Sequence, residues 1–195
     1  MGTEYEVKFR ATPRLLTEID RAFPEIGQHF SMETTYYDTP SGGLSARHYT
    51  LRTRLENGVR VCTLKTPAKI GRGEWEIRCD TIEEAVAQFP AFGCPEDFAQ
   101  LVQEGILPIC GARFTRIAKS IALADGTVEL ALDQGHLMGG GQEIPLCEVE
   151  VELKSGSVQL CDTFAKMLAT RFGLQPESHS KFRRALALYK GESHA

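Results

Sequence analysis

The sequence predicts an α+β fold in which flanking helices surround a closed eight-stranded antiparallel β-barrel. Three observations support this prediction. Strand-like segments outnumber helical ones, tight turn signals join several of them, and charged side chains alternate along the strands. A closed barrel of this size can hold side chains or one small ligand. We expect residues 1–195 to form a single domain.

The first half of the chain is predicted to contain five strands and one helix. Residues 13–23 form the helix, because Leu15, Leu16 and Ile19 recur at helical spacing. Asn57-Gly58 is typical of a type I′ turn and joins two neighbouring strands into a hairpin. The predicted strands span residues 3–10, 32–37, 49–55, 60–65 and 73–79.

The second half begins with residues 81–105, which are predicted to be mostly helical with an interruption near 92–95. Asp125-Gly126 then joins a pair of strands. The glycine run at 139–141 is interpreted as a surface hairpin rather than a phosphate loop, because no lysine or helix start follows it. The remaining strands are predicted at 114–124, 127–133 and 146–153, and the remaining helices at 157–172 and 178–190.

The composition argues against several function classes. A net charge of −4 disfavours a general nucleic-acid binder, although a local basic site can still hold a small anion. No apolar run approaches the length of a transmembrane helix, and no secretory signal is recognised, so we expect a cytoplasmic protein without membrane contact. The six scattered cysteines form no zinc or thiol-redox motif and are expected to be buried and reduced.

Acidic residues alternate along several predicted strands. In a strand, Glu-x-Glu places two carboxylates on one face, roughly 6–7 Å apart. A solvated strand face explains one such pair, but three rows in one small domain favour a site. Hard cations such as Mg²⁺ and Mn²⁺ bind oxygen ligands of this kind. The strand-borne carboxylates are Glu4, Glu6, Glu74, Glu76, Asp133, Glu148, Glu150 and Glu152.

Basic residues form a second set. Arg52 and Arg54 aim two guanidinium groups at one volume, and such groups bind phosphate oxygens bidentately. Lys65 shares a strand face with Thr63. Lys8 shares its strand face with Glu4 and Glu6, so an ion pair is an alternative interpretation for it. The five histidines match no metal spacing and are interpreted as structural or surface residues.

These residues occur in an ordered set of motifs that resembles the CYTH superfamily, the triphosphate tunnel metalloenzymes. The resemblance covers essentially the whole chain, and the order of the motifs is more specific than any one of them. The motifs are Glu4-x-Glu6-x-Lys8, Tyr37-Asp38-Thr39-Pro40, Leu51-Arg52-Thr53-Arg54, Thr63-Leu64-Lys65, Glu74-Trp75-Glu76, Leu132-Asp133-Gln134-Gly135, the run Glu148–Lys154, and Ser180-Lys181-Phe182-Arg183-Arg184.

The resemblance implies a tunnel that binds a triphosphate together with Mg²⁺ or Mn²⁺. Arg116 and Lys119 compete for one further basic position, and they fall on opposite faces of a regular strand. The implied substrate-binding residues are Lys8, Arg52, Arg54, Lys65, Lys181 and, as a further candidate, Arg184. The implied metal ligands are Glu4, Glu6, Asp133, Glu150 and Glu152, with Glu148 as a third carboxylate in line, and the implied catalytic residues are Lys8, Lys65, Glu74 and Glu76.

The function that the resemblance implies is hydrolysis of inorganic tripolyphosphate to pyrophosphate and phosphate. Thiamine triphosphatase and class IV adenylate cyclase are the alternatives within the superfamily, and both need a pocket for an organic group at the tunnel mouth. A non-catalytic triphosphate or polyphosphate sensor is an alternative of a different class. The expected partner is the small-molecule triphosphate or polyphosphate itself, and the sequence leaves a homodimer open.

Overall fold

The structure is a computed structural model that describes residues 2–69 and 71–192. These residues form ten strands, six α-helices and two short 3-10 helices, Phe89–Phe92 and Val102–Glu104. The strands are β1 (Gly2–Glu4), β2 (Glu6–Arg10), β3 (Gln28–Asp38), β4 (Thr50–Glu56), β5 (Val59–Pro67), β6 (Arg72–Arg78), β7 (Leu107–Leu123), β8 (Gly126–Gly139), β9 (Gln142–Ser155) and β10 (Gln175–Pro176). The helices are α1 (Pro13–Ala22), α2 (Gly43–Ala46), α3 (Ile82–Gln88), α4 (Glu96–Leu101), α5 (Val158–Phe172) and α6 (Lys181–Lys190).

All ten strands belong to one antiparallel sheet in the order β1-β6-β5-β4-β3-β7-β8-β9-β2-β10. The N-terminal strand is interrupted at Tyr5, so that β1 pairs with β6 while β2 pairs with β9. The carbonyl of Tyr5 accepts a hydrogen bond of 2.9 Å from the backbone N–H of Leu153. The chain itself therefore joins the two sides of the sheet at Tyr5, and the single strand predicted over residues 3–10 is divided into β1 and β2. Eight strands result when β1 and β2 count as one and the two-residue β10 is set aside.

Two of the three hydrophobic clusters lie on the outer face of the sheet, and the third packs α6 against the inward faces of β3 and β7, where Met32 and Phe114 are buried. Helices α1 and α5 cover the outer faces of β8 and β9, where Leu130 and Val151 are fully buried. The segment from α3 to α4 covers β4 to β6, with Phe89 and Phe98 packed edge to face against each other. The outward faces thus supply the burial that stabilises the fold. The inward faces that α6 does not cover are consequently free to carry charge.

Most element boundaries agree with the predictions, although the long strands extend further than expected. The predicted interruption of residues 81–105 occurs where the first 3-10 helix ends at Gly93 and α4 begins at Glu96. The glycine run forms the predicted hairpin turn between β8 and β9. All six cysteines are free thiols, but the prediction that they are buried holds only for Cys62, Cys94 and Cys161, since the other three are half-buried. Within the described residues, no helix has both the length and the apolar character needed to cross a bilayer.

Gly139 determines how closely α6 approaches the barrel. A Cβ atom at this position would lie 2.4 Å from the carbonyl oxygen of Ala185 and 2.7 Å from the backbone nitrogen of Tyr189. Both neighbours are backbone atoms of α6, so only a displacement of the helix could relieve the clash. Because Lys181 occupies the first turn of α6, the contact also positions that side chain.

We expect Gly139→Ala to lower the free energy of unfolding by about 1–3 kcal/mol, because it overpacks a rigid contact. Gly141→Ala is the matched control, since no atom lies within 4 Å of its added Cβ and only the positive φ of 73° is strained. Urea unfolding of both variants measures the difference. An equal or smaller loss for Gly139→Ala would contradict this role of the contact.

Candidate functional site

A cavity of about 70 Å³ lies inside the barrel. Since one water needs roughly 10–15 Å³ of such volume, the cavity has room for only a few waters in this state. Its lining is dominated by charged side chains from seven strands across the sheet and from the start of α6. The residues are Glu4, Glu6, Lys8, Tyr36, Thr50, Arg52, Arg54, Lys65, Arg72, Arg116, Glu150, Glu152, Ser180, Lys181 and Phe182.

The N-terminal strand contributes three side chains to one face of this cavity, as its alternation predicts. The Nζ atom of Lys8 lies 2.9 Å from Glu6 Oε1. Lys65 on β5 pairs with Glu4 and lies 3.3 Å from the Glu74 carboxylate on β6. Burial alone would raise the pKa of Glu4, but the attraction of Lys65 outweighs it and the pKa is lowered. Glu4 is therefore ionised and held by a lysine across the cavity.

The arginine pair on β4 behaves differently from the lysines. The Nε of Arg54 donates to Thr34 Oγ1 at 3.1 Å, and its guanidinium lies 3.6 Å from Glu56. Burial, together with the nearby charges of Arg52 and Arg116, lowers the pKa of Arg54 to about 10. Among the described residues, Arg52 has no carboxylate within ion-pair distance, and its buried Nε has no hydrogen-bond partner. Positive charge is thus crowded here without full compensation, which favours an anion.

The opposite wall holds a buried ion network centred on Lys181. Its Nζ lies 2.8 Å from Asp133, 3.0 Å from Glu148 and 2.6 Å from Glu150. Arg116 binds Asp133 through two hydrogen bonds of 2.7 Å and also pairs with Glu150. Burial raises the pKa of Glu148 to about 7, whereas Lys181 and Arg116 outweigh burial at Glu150 and lower its pKa. The carboxylates here hold cations in place.

Five predicted site residues, besides Lys119, do not line the cavity. Glu74 and Glu76 share the inward face of β6 but lie outside the cavity, and Glu76 is exposed. The other three belong to the network around Lys181. Asp133 and Glu148 have fully inaccessible side chains and do not line the cavity, because Arg116, Lys181 and Arg184 cover their oxygens. Arg184 itself binds Glu148 at 2.7 Å and faces a neighbouring cleft rather than the cavity. Its place in the structure is that of a counterion to Glu148.

Lys119 was predicted as a candidate substrate-binding residue, and the structure contradicts this prediction. Its Nζ donates to the carbonyl oxygens of Asp20 and Phe23 at 2.7 and 2.6 Å, and it pairs with the Asp20 carboxylate. It therefore binds the C-terminal end of α1 on the outside of the barrel. Arg116 and Lys119 do fall on opposite faces of β7, and Arg116 is the one that faces inward.

Sequence reasoning missed Arg72, which lines both the cavity and the neighbouring cleft. Its guanidinium donates to Thr50 Oγ1 at 2.9 Å and to the carbonyl oxygen of His48 at 3.3 Å. These acceptors are neutral, so the charge of Arg72 stays available to an anion. The signal was present, because Arg72 shares the strand face of Glu74 and Glu76 in β6.

The geometry of the cavity can be compared with known proteins. The sequence model of the CYTH domain matches residues 2–186, which include the strands and helix that carry the cavity-lining residues. The chain belongs to the CYTH family. It is 29% identical over 195 residues to an inorganic triphosphatase of Haemophilus influenzae, an alignment that covers 96% of this chain and 55% of that protein. The chain thus spans about half the length of this curated relative.

Solved structures share the fold of this CYTH domain. A putative adenylyl cyclase from Hippeastrum, described as having a dominant triphosphatase activity, superposes with a TM-score of 0.68 at 18% identity, covering 100% of this chain and 98% of the other. A putative adenylate cyclase from Bacillus halodurans gives a TM-score of 0.65 at 17% identity, covering 93% and 96%. These likenesses confirm the predicted barrel architecture.

The cavity of the CYTH domain offers suitable donors for a hard divalent cation. Glu4, Glu6, Glu150 and Glu152 contribute carboxylate oxygens, and Mg²⁺ prefers one or two such groups together with waters and substrate phosphates. Among the described residues, however, no three acidic, histidine or cysteine side chains are arranged to hold a metal ion. The three carboxylates that do converge, Asp133, Glu148 and Glu150, surround the ammonium group of Lys181. Each of the four carboxylates is paired with a basic side chain instead. The carboxylate oxygens are of the kind that such a metal prefers. The ion pairs must open before these oxygens can bind a metal.

Proposed function

We propose that this CYTH domain is a metal-dependent hydrolase of triphosphates, with inorganic tripolyphosphate as its main substrate. The observation that carries the proposal is the group Arg52, Arg54 and Arg116 on the cavity wall, where burial and the two neighbouring guanidinium groups lower the pKa of Arg54 to about 10. A polyanion would add the counter-charge that Arg52 lacks among the described residues. Similarity to an inorganic triphosphatase over most of the chain supports the same choice of substrate.

The proposed catalysis depends mainly on positioning. A triphosphate brings several negative charges into the barrel, and Arg52, Arg54 and Lys8 would bind its oxygens. Lys8, Lys65 and Lys181 then exchange carboxylate partners for phosphate oxygens. Donors fixed in a buried site stabilise the charge that develops as the phosphoanhydride bond breaks, and phosphoryl transfer needs little covalent chemistry from the protein.

The acidic residues divide into two proposed roles. Glu4, Glu6, Glu150 and Glu152 would hold Mg²⁺ or Mn²⁺, which supplies charge neutralisation to the phosphates when it is bound. Glu74 and Glu76 form the proposed pair that accepts the proton of the attacking water. Burial, followed by the charges of Glu74 and Glu56, raises the pKa of Glu76, which makes it a better proton acceptor than an ordinary carboxylate.

Phosphate release from tripolyphosphate tests the function. We expect turnover with Mg²⁺ or Mn²⁺, complete loss in EDTA, and recovery when either metal is added back. Glu4→Gln should lower turnover sharply, because it removes a cavity carboxylate at almost constant volume. Glu33→Gln is the control, since that exposed carboxylate lies 3.4 Å from Arg113 on the outside of the sheet. Full activity in metal-depleted protein would refute the metal-dependent mechanism, and tight binding without phosphate release would favour a sensor.

One observation favours a second candidate, hydrolysis of an organic triphosphate. A cleft of about 1240 Å³ adjoins the cavity, and Thr50, Arg72, Ser180 and Phe182 line both. Its wall includes Tyr189, which is 49% exposed, so that an organic group could stack there. The same assay with ATP and thiamine triphosphate decides between the candidates, because a preference for either over tripolyphosphate would assign the cleft to the organic group.

A further inference from the structure

Two buried polar atoms in the described part of the chain have no hydrogen-bond partner, namely Nε of Arg52 and Oγ1 of Thr63. They belong to residues that face each other directly across β4 and β5. Thr63 is completely buried and shares the inward face of β5 with Lys65. Native proteins rarely leave buried polar atoms unpaired, so two of them on neighbouring residues call for an explanation.

A comparison within the same strand shows what is unusual. Arg54 and Thr34 are also direct partners across two strands, β4 and β3. In that pair, the arginine Nε donates to the threonine hydroxyl at 3.1 Å, and both groups are satisfied. In the pair of Arg52 and Thr63, no hydrogen bond joins the same two groups. Arg54 and Thr34 thus satisfy each other, whereas Arg52 and Thr63 leave an N–H donor and a hydroxyl available to a third atom.

We infer that Arg52 Nε and Thr63 Oγ1 together form a binding site for one phosphate oxygen of the substrate. Both groups can donate a hydrogen bond, and an anionic oxygen can accept from both at once. Arg52 lines the cavity whereas Thr63 does not, so a phosphate oxygen reaches the hydroxyl only when the Arg52 guanidinium shifts toward the ligand. Among the described residues, no ion pair restrains that shift. Thr63 is then a substrate-binding residue, added to the basic residues proposed above.

This inference rests on the proposed triphosphate substrate. It predicts that removing the Thr63 hydroxyl weakens tripolyphosphate binding without lowering the stability of the ligand-free protein. Without ligand, the Thr63 hydroxyl is an unsatisfied buried group, so replacing it with a methyl group removes a cost. Thr63→Val should therefore be at least as stable as the wild type. With ligand, the variant loses a charge-assisted hydrogen bond, and its affinity for tripolyphosphate should fall roughly tenfold or more. Thr63→Ser keeps the hydroxyl and should retain most of the affinity.

The experiment combines urea unfolding of the ligand-free proteins with calorimetric titration of tripolyphosphate in EDTA. Thr53→Val is the matched control, because that buried threonine lies on the outer face of β4 and its hydroxyl is 3.4 Å from the Tyr37 hydroxyl. We expect Thr53→Val to lower stability while leaving the affinity unchanged. The two valine variants should thus show opposite patterns.

Unchanged affinity of Thr63→Val would overturn the inference, whatever its stability. So would weaker binding accompanied by an equal loss of ligand-free stability, because a structural water would then satisfy the hydroxyl. If the wild type binds tripolyphosphate but does not hydrolyse it even with Mg²⁺ or Mn²⁺, the proposed function fails while the oxygen site is still decided by the binding measurements. If the wild type binds tripolyphosphate neither in EDTA nor with either metal, both proposals are wrong.

Discussion

Arg52→Ala is expected to lower kcat/KM for tripolyphosphate by roughly ten- to a hundredfold. A hydrogen bond to a charged group is worth about 1.5–3 kcal/mol, and about 1.4 kcal/mol corresponds to one decade in rate. The full effect should appear because Arg52 has no competing carboxylate in the described lumen and can give its guanidinium entirely to the substrate. Steady-state phosphate release measures the change.

The same substitution should not harm the fold. Arg52 is one of the charges that lower the pKa of Arg54 to about 10, so its removal relieves repulsion. The free energy of unfolding should stay constant or increase slightly. Arg113→Ala is the control, because Arg113 is 65% exposed and pairs with Glu33 outside the barrel. A comparable loss of kcat/KM in Arg113→Ala, or a clear loss of stability in Arg52→Ala, would contradict a substrate-binding role for Arg52.

Strand alternation was sufficient to predict much of the site. A barrel strand sends every second side chain inward, so Glu4, Glu6 and Lys8 could be assigned to one face from the sequence alone. The same rule separated Arg116 from Lys119. It could not say which of the two faces inward, because that depends on where α1 packs, and α1 is distant in sequence from β7.

The role of each carboxylate could not be predicted in the same way. Glu148 and Glu150 share one face of β9, yet Glu150 lines the cavity while Glu148 is covered by Lys181 and Arg184. The difference arises from α6, which packs against β7 and β8 and inserts Lys181 among the acidic residues. The break at Tyr5 could not be predicted from the neighbouring residues either, because it occurs where the partner strand changes from β6 to β9.

Lys181→Met is expected to destabilise the protein by about 3–5 kcal/mol, the usual cost of removing one partner from a buried ionic group. Lys181 contacts Asp133, Glu148 and Glu150 within 3.0 Å, and the first two of these side chains are wholly inaccessible to water. Loss of the ammonium leaves uncompensated negative charge in the wall of the cavity. Turnover should also fall strongly, because that charge repels the triphosphate.

Lys119→Met provides a control of the same chemistry in a different place. Lys119 is as buried as Lys181, but it serves two backbone carbonyls and one carboxylate at the end of α1. Its loss should cost stability while kcat/KM of the remaining folded protein stays unchanged. Adding Glu148→Gln to Lys181→Met should restore part of the stability, since it removes one of the uncompensated charges. Two outcomes would contradict the proposed role of Lys181. One is a loss of kcat/KM in Lys119→Met as large as that in Lys181→Met, and the other is a double variant less stable than Lys181→Met alone.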